Sequence, residues 1–471
     1  MVKHLTQAQE RKVVAIIGGG LSGSLFALKL STARPDWKIL LVEEVLHPGR
    51  GLAYGACGPQ HLLNVPVSRM EVGLQPRFSD WLRHNPELLV DALDESDGKL
   101  EEAYVPRQLF GNYIQQLTTQ ALRQGVRLVQ NKAIAISPDT RRLHLADGRA
   151  IPVDIVVLAT GHLSPSLPFK AKPSQKVILD PWAPGLDGIS TDATVLLVGS
   201  GLTMVDTILS LRAQGHKGAL HAISRHGLLP HAHRSGGAWP PFLDTRASPV
   251  RALRAIRIAT RQARNNGIPW QRVFDAARPA VASVWQGWSI GQRAQFLRHL
   301  RAIWDVHRHR MAGRTAKKID DLIEDGTLKI TAGRILALDE HWDGVTLLVR
   351  PRRARAYALN VDVVINCTGP RTDLRNSRHS LLQNLFSQGL VHSDPLGLGL
   401  ESEDCAVKDA RGATSNWIYA LGPLTRPAWW EIIAVPEINA QIDQLVRRLN
   451  VERDVATRPL HSAFLDIGAG I

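Results

Sequence analysis

The sequence predicts an α/β chain built from two strand–glycine turn–helix units, the second set within the first. Three observations carry this. VVAIIGGGLSGSLFALKL near the start and VLLVGSGLTMVDTILSL from Val195 each run from a short apolar strand through a glycine turn into a helical pattern. Later apolar strands ending in Ala-Thr160-Gly161 and Cys-Thr368-Gly369 share one shape and return the chain to a sheet. A basic segment of helical periodicity interrupts the second unit. Continuous apolar runs of this length read as parallel strands buried on both faces. The fold class is α/β with two dinucleotide-binding (Rossmann-like) domains, the second inserted in the first, and a helical insertion. The expected boundaries are 1–170 for the first part of the outer domain and 171–365 for the inner domain. Its basic insertion falls at about 240–315, and 366–471 returns to the outer domain.

Bulk properties bound the rest. At ~150 residues per domain, 471 residues leave room for two or three domains. With 44% hydrophobic and 21% charged residues the composition is that of a globular chain. No apolar run approaches the ~20 residues that span a bilayer, so no membrane partner is expected. The N-terminus MVKHLTQAQERK lacks an apolar segment and does not read as a secretory signal. Only three cysteines occur, Cys57, Cys367 and Cys405, with no C-x-x-C pair, which argues against a disulfide framework and fits a reducing cytoplasm. Cys57 has no catalytic partner at motif level, and its default reading is a buried, inert thiol.

The first turn, Gly18-Gly-Gly20-Leu21-Ser22-Gly23, is a G-x-G-x-x-G match, with small Ala27 four residues on. The first glycine permits the turn, the second lets a pyrophosphate approach backbone, and the third lets the helix pack closely. The helix N-terminus beyond it offers N–H groups and positive dipole. A second strand from Lys38 ends at Glu43, twenty residues after Gly23, where an acid accepts from a ribose. Glu44 is the rival, on the other face of the strand.

NAD and FAD share this fingerprint, and downstream pieces separate them. The strands ending at Thr160-Gly161 and Thr368-Gly369 are those that return the chain in two-dinucleotide flavoproteins. Trp417-Ile-Tyr-Ala-Leu-Gly422-Pro423 gives another strand ending in glycine. After Val435, a helix from Pro436 carries Ile438, Ile442, Leu445 and Leu449 as an apolar stripe. Its N-terminus could stabilise negative charge on a reduced flavin ring. FAD is therefore placed in the first site. The missing C-x-x-C argues against a flavin disulfide reductase.

The second turn, Gly199-Ser-Gly201, leads into a helix at Leu202 and Thr203, with Met204 where a third glycine often stands. The next strand ends in Ser224-Arg225-His226-Gly227. A serine and an arginine replace the acid at the ribose position, which suits a 2′-phosphate and favours NADPH over NADH. The competing reading of Arg225 is a solvated strand end. Two turns mean two nucleotides, with hydride passing from nicotinamide to flavin.

With these motifs the chain resembles the bacterial FAD/NAD(P)-binding flavoproteins related to N-hydroxylating and Baeyer–Villiger monooxygenases. The resemblance rests on GGGLSGSLFA, PGRGLAYG, HLLNVPVSRM, VPRQLFGNYI, ATGH, GSGLTMVD, SRHGLLP, WDVHRHR, NCTGP and WWEIIAVPEI, and covers nearly the whole length. It implies that Gly51, Leu52 and the residues through Tyr54 wrap the flavin ring together with His61, Asn64, Val65 and Pro66. It also implies that Arg107 lies near FAD. Asn64 could hydrogen-bond a flavin peroxide or the nicotinamide amide; the alternative is a plain loop turning at proline. The Baeyer–Villiger fingerprint F-x-G-x-x-x-H-x-x-x-W is absent, and Gly422-Pro423 stands where a glycine-aspartate usually holds the ribitol.

Net charge is +14, concentrated between Thr245 and Thr315, where fourteen Arg meet two acids, Asp275 and Asp305. Arg251, Arg254, Arg257, Arg261 and Arg264 recur at helical spacing, and a second helix is predicted from Gln292 to Arg310. Three readings compete: a solvated basic face, an anion-collecting entrance for NADPH or an acidic substrate, and nucleic-acid binding. The last lacks any recognised motif. The histidines of VHRHR have no ligands at metal spacing. The function expected is an FAD-dependent, NADPH-using monooxygenase that hydroxylates a small molecule with O₂. The alternatives are an NADPH-dependent oxidoreductase passing electrons to another acceptor, and a non-enzymatic redox-sensing flavoprotein.

Overall fold

In the first strand, β1 (Val13–Ile17), Val14 and Ile16 pack to one side while Ala15 and Ile17 pack to the other, all buried. Such a strand needs cover on both faces. The computed structural model describes residues 11–456 apart from 95, 184 and 376. The stretch read above for a leader lies outside the described residues up to its tenth position. One face of the first sheet is covered by α1 (Leu21–Ala33) and α2 (Arg107–Arg123). Strands β2 (Lys38–Glu43) and β3 (Arg127–Gln130) extend the sheet in parallel on one side of β1. The other face is covered by a small antiparallel sheet of β4 (Ala133–Ser137), β5 (Arg142–Leu145) and β6 (Ala150–Pro152). Then β7 (Ile155–Leu158) pairs in parallel on the free side of β1.

The second sheet repeats the logic. β8 (Val177–Ile178), β9 (Val195–Val198) and β10 (Leu220–Ser224) flank α3 (Leu202–Ala213) in sequence. Val195 and Leu197 of β9 face α3, and Leu196 and Val198 face the opposite cluster. The insertion follows as α4 (Pro249–Asn265), α5 (Trp270–Gly287), α6 (Ile290–His299) and α7 (Arg301–Arg308), and α8 (Gly313–Glu324) leads back to the sheet. A meander of β11 (Leu328–Glu340), β12 (Val345–Pro351) and β13 (Tyr357–Val361) and then parallel β14 (Val363–Asn366) give the order β13-β12-β11-β10-β9-β14-β8. The chain then covers the small sheet with α9 (Ser380–Ser387). It completes the first sheet with β15 (Ser402–Glu403), β16 (Ala406–Lys408) and β17 (Thr414–Ala420). That sheet has the order β15-β16-β17-β7-β1-β2-β3. Helix α10 (Val435–Ala456) lays Ile438, Ile442, Leu445 and Leu449 against α1, the stripe its spacing predicted. No described helix is long and apolar enough to cross a membrane.

The insertion corrects one prediction. The single helix from Gln292 to Arg310 is two helices, with Leu300 at φ −117° between them, far from the α-helical value of about −63°. Docking falls on both sides of the break. Phe296 packs against Trp285, Trp288 and Trp430, and Trp304 donates to Glu431 Oε1 at 2.7 Å. The turn at Leu300 lets both contacts form. The arginines divide into two groups. Arg251, Arg254, Arg257, Arg261 and Arg264 of α4 are all exposed, a solvated face. Others anchor the insertion: Arg278 forms a two-point bridge to Glu437 at the start of α10 (2.7 and 2.5 Å). Asp275 faces Arg310 at 2.5 Å, Arg272 at 2.9 Å and Arg69 at 3.8 Å.

His233, just before the insertion, touches both sides of its seam. Its backbone N–H donates to Met311 O, and its Nε2 donates to Asn64 O at 2.9 Å. Burial, and then the charge of Arg310, push its pKa down to about 4. The ring is held neutral, so this contribution is fully present above the unfolded value near 6.5 and is lost as pH falls toward 4. The shift corresponds to at most about 3 kcal/mol. Urea midpoints of the wild type should therefore fall between pH 6.5 and 4 more steeply than those of His233→Gln. Parallel slopes would remove His233 from the seam's pH response.

Candidate active site at two glycine turns

Both turns are built to the same plan. Gly18 has φ +104°, and a Cβ there would meet Ala159 O at 2.4 Å; Gly199 has φ +116°, and a Cβ would meet Cys367 O at 2.5 Å. Each first glycine thus presses on the residue preceding a Thr-Gly pair at the end of the neighbouring strand, Thr160-Gly161 after β7 or Thr368-Gly369 after β14. Gly20 and Gly201 cap α1 and α3 without any side-chain cap hydrogen bond. In the insertion, by contrast, Ser248 and Ser289 cap α4 and α6. Uncapped helix starts leave N–H donors at Leu21, Ser22, Leu202 and Thr203 for an anion. The turns differ at the third position. Gly23 is obligatory, because a Cβ would lie 1.9 Å from Gly18 O, whereas Met204 is a fully buried core residue.

Around the first turn, Glu43 Oε2 accepts from Gly19 N at 2.6 Å and Oε1 accepts from Glu44 N at 2.7 Å. The carboxylate is thereby fixed beside the turn, with lone pairs remaining for ribose hydroxyls. Glu44 turns outward, 3.5 Å from Lys132, so Glu43 is the better placed of the rivals. Gly51 has φ +55° and its backbone packs on Gly20, while Leu52 is exposed. Thr160 Oγ1 and Arg50 Nε are buried without hydrogen-bond partners among the described residues. Orphaned polar atoms beside a glycine cradle fit an adenine dinucleotide such as FAD. Gly161, Gly369 and Gly422 have φ of +70°, +82° and +70°. Gly422 N donates to Gln441 Oε1 at 2.8 Å, and a Cβ on Gly422 would crowd Ser22 Oγ. Val435 is buried at the start of α10.

At the second turn Ser224 serves the fold. Its hydroxyl accepts from Gly227 N at 2.9 Å and pairs with Ser200 Oγ at 2.8 Å. Arg225 is exposed, with no hydrogen-bond partner among the described residues.

Arg107, expected near FAD, and His61, expected around the flavin ring, both engage Asp206 of the second unit. Arg107 at the start of α2 donates to both oxygens of Asp206 on α3, at 2.7 and 3.1 Å, and to Leu62 O at 3.1 Å. Burial alone would lower its pKa, and Asp206 more than offsets that, leaving it raised. His61 accepts from Gly58 N at its Nδ1, so Nε2 carries the proton and donates to Asp206 O at 3.0 Å, with Ser210 Oγ also at 3.0 Å. Burial lowers the His61 pKa, opposed by Asp206. Sequence reading missed Asp206 and Gln441; the available signal was a lone polar side chain at an apolar helical position. Asn64 is half-buried; its carbonyl accepts from His233 and its amide has no hydrogen-bond partner among the described residues. Val65 packs half-buried on the core. Cys57 is half-buried rather than buried, because it lies in the irregular stretch just after the short helix Gly51–Gly55. Its thiol donates to Tyr54 O at 3.2 Å, and burial raises its pKa against the pull of Arg107.

Comparison with known proteins agrees with this geometry. Residues 15–163 match the family model described as FAD-NAD(P)-binding, which makes this segment an FAD/NAD(P)-binding domain. No curated protein matches the chain in sequence. Among solved structures, the reduced form of the ornithine hydroxylase PvdA from Pseudomonas aeruginosa is 14% identical, with a TM-score of 0.65 over 93% of this chain and 99% of that one. The ornithine N-hydroxylase KtzI of Kutzneria sp. 744, solved with reduced FAD, NADP⁺ and L-ornithine, is 15% identical, with a TM-score of 0.65 over 93% and 99%. The bacillithiol disulfide reductase Bdr from Bacillus cereus is 14% identical, with a TM-score of 0.56 over 94% and 100%. These likenesses establish a shared two-dinucleotide fold.

The two glycines of the second turn separate fold from ligand. Gly199→Ala should cost about 1–3 kcal/mol, because it forces a side chain into positive φ against Cys367 O. Gly201 has φ −87° and nothing within 4 Å of a built Cβ. Gly201→Ala should keep stability within about 1 kcal/mol, yet raise the NADPH Kd about tenfold by obstructing phosphate. Thermal melts and fluorescence titration read the two effects. An unaltered Kd in Gly201→Ala takes the nucleotide away from this turn.

Proposed function

We propose that the chain is an FAD-dependent, NADPH-using monooxygenase that hydroxylates a small molecule. The carrying observation is the pair of equivalent glycine turns joined through the Arg107–Asp206 bridge, one helix turn from Gly201. Likeness in fold to a hydroxylase whose structure holds reduced FAD and NADP⁺ supports the chemistry. FAD, when bound, supplies an acceptor for hydride from NADPH and a reduced form that reacts with O₂.

The chain's own residues hold and orient. The α1 and α3 N-termini would take the two pyrophosphates, Glu43 the ribose hydroxyls and Arg225 the 2′-phosphate. Asn64, on a loop pinned by His233, would offer its amide to the ring. The insertion, bound through Arg278 to Glu437, would close the site from water, which keeps a reduced cofactor from wasteful oxidation. The opposed reading, NADPH-driven electron transfer to another acceptor, is favoured by the likeness to the bacillithiol disulfide reductase. The cysteines Cys57, Cys367 and Cys405 are all free thiols.

The deciding experiment incubates the FAD-loaded protein with NADPH, ¹⁸O₂ and a panel of primary amines and amino acids. One ¹⁸O atom in product for each NADPH consumed is expected. Complete recovery of the electrons as hydrogen peroxide, or in an added acceptor with no labelled product, rejects oxygen insertion.

A further inference from the structure

After β17 the chain carries a buried cation that has no hydrogen-bond acceptor among the described residues. Arg426 is 8% exposed, its Nε is sealed, and among the described residues none of its guanidinium N–H groups meets an acceptor. Its acidic neighbours, Asp305 and Glu431, are shared with other cations, and neither hydrogen-bonds Arg426 among the described residues. Glu431 accepts from Trp304 Nε1 at 2.7 Å and lies 3.2 Å from Arg308 Nε, and Asp305 lies 3.4 Å from Arg301. Three arginines therefore share two carboxylates. Burial lowers the pKa of the adjacent His309, so that ring adds no charge at neutral pH. Burial and then Arg301 push Arg426 down to about 10, which still leaves it cationic. An unpaired buried charge is costly, and a waiting anion removes that cost.

Its placement points to a ligand. Arg426 follows the carboxyl end of β17, and its charge reaches His162, the residue after Gly161 at the carboxyl end of β7. β7 adjoins β1 and the first glycine turn, β17 lies on the far side of β7, and after β1 the chain passes to β2 and β3 on the opposite side. Open α/β sheets bind ligands outside the carboxyl ends of strands at such a reversal. The guanidinium is held 4.2 Å over the Trp430 ring, and Trp285 stacks on Trp430 at 4.7 Å. Trp430 also borders an apolar cavity of about 90 Å³ with Phe274, Trp285, Phe296 and Trp304. Such cavities take apolar guests, while an arginine offers a planar fork that matches a carboxylate.

We propose that Arg426 binds the carboxylate of the small-molecule substrate and that Trp430 and its cavity receive an apolar part of the same molecule. The assignment rests on the reading of this site as a small-molecule enzyme, and its test needs no turnover.

Calorimetric titration of the FAD-loaded protein with benzoate, its neutral isostere benzamide, and inorganic phosphate decides it. Benzoate should bind saturably and benzamide at least about tenfold more weakly. Arg426→Gln should weaken benzoate about tenfold or more, while Arg426→Lys keeps a preference for benzoate over benzamide. Absence of benzoate binding, equal affinity for benzamide, or undiminished binding to Arg426→Gln overturns the proposal. Phosphate binding tighter than benzoate also overturns it, by giving the cation to a nucleotide. If Arg426→Gln fails to fold, loss of the benzoate preference in Arg426→Lys rejects it equally. Uncoupled NADPH oxidation would sink the oxygenase reading while leaving these affinities as they are.

Discussion

Arg107 and Asp206 set the geometry on which the rest of the molecule depends. Each sits on a helix whose start borders a different nucleotide unit, and the two meet through a buried, two-point ion pair reinforced by His61. Removing one partner of such a pair strands the other charge in low dielectric, at about 3–5 kcal/mol. The bridge gains little net stability over apolar packing, but it admits few alternative arrangements. Asp206 lies one turn into α3, so whatever holds Asp206 also holds the Gly199–Gly201 turn. The docking of Arg278 on Glu437 and of Trp304 on Glu431 anchors the insertion to the chain after β17.

Within that frame the two turns have equal first glycines and unequal third positions. Gly23 must be glycine because α1 crosses against Gly18 O, while Met204 fills core volume beneath α3. The first turn is also closed over by Gly51, and the second is open at Gly201. A tightly enclosed first turn suits a resident cofactor, and an open second turn suits a nucleotide that comes and goes.

What was legible in the sequence was local. Apolar runs gave β1 and β9, glycine spacing gave the turns, and the stripe from Ile438 to Leu449 gave α10, because strand and helix periods are written in neighbouring residues. Glu43 could be ranked against Glu44 only once the β2 register fixed which side chain faces the turn. The roles of Arg107 and His61 were hidden because their partners lie 99 and 145 residues away, a separation that no periodicity encodes. The helix break at Leu300 was hidden for the same reason, since Trp430 and Glu431 impose it from another part of the chain. Ser224 was legible as a polar strand end, but its hydrogen bond to Gly227 shows a turn-forming role that composition cannot distinguish from a ligand contact.

The central claim is that the Arg107–Asp206 bridge aligns two dinucleotide sites for direct hydride transfer. Anaerobic stopped-flow reduction of bound FAD by NADPH deuterated on either face of nicotinamide C4 tests it, in wild type and in an Asp206→Asn protein that retains FAD. A primary isotope effect with one face only, and reduction slowed about tenfold or more in Asp206→Asn, is the predicted result. Reduction at the wild-type rate in Asp206→Asn, or no isotope effect from either face, would contradict the account.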